Sequence, residues 1–212
     1  RQMCIRDSPD NNYLWTFDKS GTLTLPQGST IRDTNDWYIG IGKYVGPGAS
    51  AAVSIGYLAG NSGQSFQAVA VGTNAGQTNQ SGIAVAVGSS AGANTQGQSA
   101  VAIGDNAAAN TQGEYGVAVG SYAGNDSQGG FAIAIGYSAG YTSQGNDAVA
   151  VGDYAGGDQQ GTNAIAIGLS AGSSNQGNNS IAIGANAGEN NQAPNSIIIN
   201  ATGNTLNGGN SG

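Results

Sequence analysis

Three sets of side chains in this 212-residue chain could do chemistry: carboxylates, glutamines and tyrosines. The carboxylates of the body are Asp105, Glu114, Asp126, Asp147, Asp153, Asp158 and Glu189. Hydrolysis of a glycosidic bond needs two carboxyl groups within about 5–10 Å of each other. Asp105 and Asp153 hold the same place in a repeated unit but lie three units apart, about 14 Å if the units stack as strands. That separation argues against an acid–base pair, and the expectation is a protein that is not an enzyme. Histidine is absent and Cys4 is the single cysteine, so no cofactor, metal cluster or disulfide framework is expected. A calcium-binding nonapeptide roll would need an Asp in every unit, and an ice-binding face a flat threonine array. Neither is written here. Tyr115, Tyr122, Tyr137, Tyr141 and Tyr154 crowd, with Phe131, into the middle of the chain. Tyrosine offers an apolar ring face and a hydroxyl at little entropic cost, the mixture that sugar surfaces use. They are the candidate receptor or glycan contact; the alternative is that they cover turns.

The glutamines are the most regular polar feature: Gln64, Gln80, Gln96, Gln112, Gln128, Gln144, Gln160, Gln176 and Gln192. Amides stacked at strand spacing can hydrogen-bond along the stack, each carbonyl accepting from the amide of the next unit. A structural ladder or subunit contact is the expected role, with a ligand-binding row as the alternative.

What positions these side chains is a 16-residue repeat without insertion or deletion. Glycine closes an apolar run at Gly56, Gly72, Gly88, Gly104, Gly120, Gly136, Gly152, Gly168 and Gly184. Val or Ile stands three and one residues before each glycine, Ala three after and Gln eight after. Apolar residues two apart make a short strand, and the glycine density excludes helix. Each unit is therefore one coil of an all-β, parallel β-solenoid, and nine coils at about 4.8 Å make a rod roughly 43 Å long. The Val/Ile columns are expected to point inward. The facing stripe, Ala70, Ala86, Ala102, Ala118, Ala134, Ala150, Ala166 and Ala182, is expected to lie outside as a subunit contact, because solvent-facing strand positions usually carry Thr, Lys or Glu.

The boundaries follow from where the pattern begins and ends. Residues 1–12 are expected to be a disordered tail or an artefact, 13–36 a β cap with a turn at Lys19-Ser20-Gly21, 37–200 about ten repeats, and 201–212 a C-terminal linker. Trp37, Ile39 and Gly40 stand one full repeat before Val53, Ile55 and Gly56 and suggest a degenerate first coil. Ile197, Ile199 and Asn200 hold the same phase at the other end. All five cations precede residue 44, so the acidic body is not expected to bind nucleic acid. No stretch is long and apolar enough to insert in a membrane as a helix. The chain begins with Arg and is expected to be a fragment of something longer.

Three passages carry a family resemblance. Units such as Ala100-Val101-Ala102-Ile103-Gly104 and Ser180-Ile181-Ala182-Ile183-Gly184 resemble the head repeats of trimeric autotransporter adhesins, over most of the chain. They depart from those heads in their uniform 16-residue length and in the glutamine column. The segment Trp15 to Pro26 resembles a short module of marine phage tail-fibre proteins. Asn195-Ser196-Ile197-Ile198-Ile199-Asn200-Ala201-Thr202-Gly203 is similar to the lead-in to the intramolecular chaperone of endosialidase-type tail fibres. Together these resemblances imply a left-handed β-roll assembled as a homotrimer. They imply a structural shaft of a phage tail fibre in the virion, contributing to attachment to a host glycan or protein. The alternative they leave is the head of a bacterial trimeric adhesin at the cell surface.

Overall fold

The computed structural model describes residues 3–6, 14–17, 23–24, 30–33, 39–42 and 51–207. Strands β1 (Met3–Arg6), β2 (Leu14–Phe17), β3 (Leu23–Thr24) and β4 (Thr30–Asp33) pair antiparallel in succession, and β4 hands over to β5 (Ile39–Gly42). Strand β1 falls within the stretch read from the sequence as a tail. The turn expected at Lys19-Ser20-Gly21, and Trp37, lie outside the described residues.

From β5 onward every pairing is parallel. β6 (Val53–Ile55) begins a run of three-residue strands ending at Ile197–Ile199, each in register with the strand one repeat later, as in Val149↔Ile165 and Val151↔Ile167. The described residues contain no helix, and the fold is a parallel β-solenoid of about ten coils. A second, narrower parallel sheet runs along the rod through Thr95–Gln96, Thr111–Gln112, Asp126–Gln128 and Thr142–Gln144. Single bridges such as Thr142↔Asp158 and Asp158↔Ser174 continue it.

The first coil corrects the expected phase. Ile39 pairs with Val53 and Ile41 with Ile55, whereas the sequence phase set Ile39 against Ile55, so this coil is shorter than a full repeat. The reason is Gly42, whose φ of +141° makes it the corner glycine of that coil. Ile39-Gly40-Ile41-Gly42 is therefore the first instance of the strand-and-corner motif.

The larger correction concerns inside and outside. The alanine stripe is the interior: Ala70, Ala86, Ala102, Ala118, Ala134, Ala150, Ala166 and Ala182 are completely buried, as are the alanines of the following corner from Ala59 to Ala187. The Val/Ile columns face outward. Val149 and Val151 are half-buried, and Ile135 and Ile167 are 41% and 39% exposed. The physical reason is the width of the coil. Gln160 reaches from the second sheet across to the carbonyl of Val149 at 2.8 Å, so the interior is spanned by one side chain. Such a gap holds methyl groups and an amide but no branched aliphatic residue. The contact expected on the alanine face is excluded, because that face has no surface to offer.

The final coil shows the same rule relaxed. Ile198 stands where earlier coils carry alanine and is 6% exposed, with no further full coil stacked above it. Residues 201–206 fold back over the end of the stack, where Leu206 bridges Ala187.

Candidate functional site

The glutamines lie inside the rod and are almost fully buried. A buried amide left without partners costs roughly 1–3 kcal/mol, so each must find its bonds within the coil. Gln144 donates to the carbonyls of Ile133 (2.8 Å) and Ala148 (3.4 Å) and to Oε1 of Gln160 (3.0 Å). The bonds run toward the C-terminus, each amide donating to the carbonyl of the following coil. This is the reverse of the direction read from the sequence. One side chain thereby ties the two sheets of a coil and two successive coils.

The row has one break. Gln64 bonds to Gln80 and Gln80 to Gln96, and an unbroken series runs from Gln112 to Gln192, but Gln96 has no bond to Gln112. Oε1 of Gln112 is buried without a partner. The cause lies four residues earlier. Every other glutamine of the column follows a glycine at that distance, and a Cβ there would fall 2.5 Å from Gln80 Oε1 or 2.7 Å from Gln160 Oε1. Ala108 carries that Cβ, at a φ of +47°. We expect Ala108→Gly to remake the bond. Relief of left-handed strain, about 1–2 kcal/mol, and satisfaction of the carbonyl, about 1–3 kcal/mol, outweigh the loss of a buried methyl, about 0.8 kcal/mol, and the added chain entropy of glycine, roughly 0.5–1 kcal/mol. Net stabilisation of about 1–2 kcal/mol should raise the melting temperature by several degrees. A fall in melting temperature would show that Ala108 is not what breaks the row.

The tyrosines divide into two groups. Tyr115 stacks on Phe131, with ring centroids 5.0 Å apart and planes at 14°. Both stand five residues before a corner glycine, so stacking successive coils brings the rings face to face. Tyr122, Tyr137, Tyr141 and Tyr154 form the second group, around the corner that follows the outer strand. Tyr137 meets Tyr154 edge to face at 5.4 Å, and Tyr122 meets Tyr137 and Tyr141, each at 6.2 Å. With Ser138 these four line a cleft of about 410 Å³. Tyr122, Ser138 and Tyr154 hold one column in three consecutive coils, so the serine is a floor between two rings. Sequence reading missed Ser138, although a small residue between two tyrosines of the same column was the available signal. The Tyr154 phenol is held above the ordinary tyrosine range, chiefly by its hydrogen bond with Tyr137.

Three of the carboxylates make local surface contacts. Asp105 accepts from Asn106 (3.0 Å), Asp126 from Asn110 (3.4 Å), and Glu189 from Thr205 (2.6 Å). Among the described residues, no cluster of three or more acids, histidines or cysteines could hold a metal ion, and no helix is long and apolar enough to cross a membrane.

A stack of short in-phase coils with an alanine interior and an aliphatic outer face defines the class, a parallel β-solenoid. The family model of the YadA head domain repeat matches two stretches, residues 96–123 and 160–187, and to that repeat the coils are similar. No curated protein and no solved structure gives a match.

Proposed function

We propose that the chain is the rigid, non-enzymatic rod of a homotrimeric extracellular attachment protein. The observation that carries this reading is the outer Val/Ile stripe. It runs along all the coils as two adjacent aliphatic columns without a charged residue, from Val53 and Ile55 to Ile197 and Ile199. Over a rod of about 43 Å this amounts to a few hundred Å² of continuous apolar surface, the size at which soluble proteins use a patch for association. Three copies related by a threefold axis parallel to the rods bring the three stripes together and close the assembly. The similarity to YadA head repeats supports the same arrangement.

Static light scattering tests it. A chain of 20.8 kDa should elute as a species of about 62 kDa, three times that mass, independent of dilution over the micromolar range. A monodisperse 20.8 kDa species would overturn the reading. The flanking segments, Trp15 to Pro26 and Asn195 to Gly203, favour a phage tail-fibre shaft as the setting. The repeat match favours a bacterial surface adhesin. Virion genes beside the coding sequence would support the first, and a gene encoding a membrane-anchor segment continuous with this chain the second.

A further inference from the structure

We propose that the cleft between Tyr122, Tyr137, Tyr141 and Tyr154 is a binding site for a neutral saccharide. Its volume of about 410 Å³ lies within the range of small-molecule sites. Tyr122 and Tyr154 stand two coils apart in one column, about 9.6 Å at the strand spacing. The Tyr137 ring stands between them, edge to face with both, and Tyr141 meets Tyr122, so the four rings form an aromatic wall on which the C–H face of a pyranose can lie. Ser138 lies at the floor of the cleft, covered by the surrounding rings, and is 5% exposed. On one flank, Gly157 holds the Tyr141 column in the next coil, so that column adds no side chain beside the Tyr141 ring.

The chemistry of the lining selects the ligand. It consists of four phenol rings and one serine. Residues 44–212 contain no Lys or Arg, and Asp153 lies beside Tyr154, so a carboxylated or sulfated sugar would meet repulsion without a counter-charge. A neutral sugar presents an apolar C–H face to the rings and hydroxyls to the phenolic oxygens and backbone. The rings also sit at a cost. Tyr122 and Tyr154 hold φ of +60° and +54°, where neighbouring coils place Asn or Ser. Left-handed backbone is disfavoured for a bulky residue, and cover alone would not require tyrosine at those two positions. The cleft is built from one chain, so the proposal does not rest on the trimer.

The test is saturation-transfer NMR on the full chain in its native assembly, with lactose, N,N′-diacetylchitobiose, 3′-sialyllactose and choline each at up to about 10 mM, which captures millimolar affinities. At least one neutral disaccharide should receive saturation through its ring C–H protons, more strongly than sialyllactose or choline. Tyr122→Ser with Tyr154→Ser should weaken that binding roughly tenfold or more. Folding should be retained, because Ser138 and Ser170 already hold the same column. If that double variant does not fold, Tyr137→Ser alone must still weaken binding. Failure of both neutral sugars to bind, preference for choline or the sialylated sugar, or unchanged binding in the variants would each overturn the proposal.

Discussion

Gly136→Ala should cut the rod in two. A Cβ on Gly136 would sit 2.5 Å from the carbonyl oxygen of Gly152 and 2.7 Å from its carbon, both backbone atoms of the next coil. Its φ of +130° is a conformation that alanine resists. Backbone strain of about 1–3 kcal/mol adds to weakened bonds such as Gly152 N–H to Ile135 O, 2.8 Å in the intact rod. The total comes to roughly 3–5 kcal/mol once two or three ladder bonds are lost at about 1 kcal/mol each. In a stack where each coil touches only its neighbours, the loss is concentrated at one junction. The expected result is a melting transition lowered by about 6–20 °C, or split in two as the halves melt separately. Gly130→Ala is the control, since a Cβ there meets nothing nearer than 3.5 Å. Equal melting of the two variants would show that the corner column tolerates a methyl group.

Ile135→Asp combined with Ile167→Asp should dissolve the proposed trimer and spare the coil. Both side chains are more than a third exposed in the single chain, so a carboxylate there stays hydrated in the monomer. In the assembly each would be enclosed with its symmetry mates, at several kcal/mol per copy. Light scattering should report monomer, and the far-ultraviolet spectrum should keep its β signature. Ala134→Asp with Ala166→Asp reverses the pattern. These positions are fully buried in an interior one side chain wide, and the chain should fail to fold. An unchanged trimer in the isoleucine variant would place the subunit contact elsewhere on the coil.

The repeat, the strand positions and the all-β class were legible because glycine, Val/Ile, Ala and Gln fall in fixed columns. Which face lies inside was not. Alternation with period 2 gives two faces and leaves the choice between them to size and packing, and the larger aliphatic face looked like the core. The better signal was tolerance. Valine and isoleucine interchange freely from Val53 to Ile183, whereas the facing column is alanine throughout except Ser54 and, at the end, Ile198. A space one methyl deep admits no exchange; an outer face does. The shortened first coil was hidden by the chance spacing of Trp37 and Gly40 from the next unit. Stacking in phase made the Tyr122–Tyr137–Tyr154 neighbourhood legible, but only the corner geometry separated Tyr115 from it.

The alanine interior also governs how this rod responds to temperature. The heat capacity change of unfolding grows with the apolar surface newly exposed to water and shrinks with the polar surface. A core of methyl groups and hydrogen-bonded amides exposes little of the first and much of the second. Within the single coil stack this flattens the stability curve, and hydrogen bonding carries a larger share of the support than in a core of branched aliphatic residues. Such a curve keeps the coil stack folded through cold as well as heat.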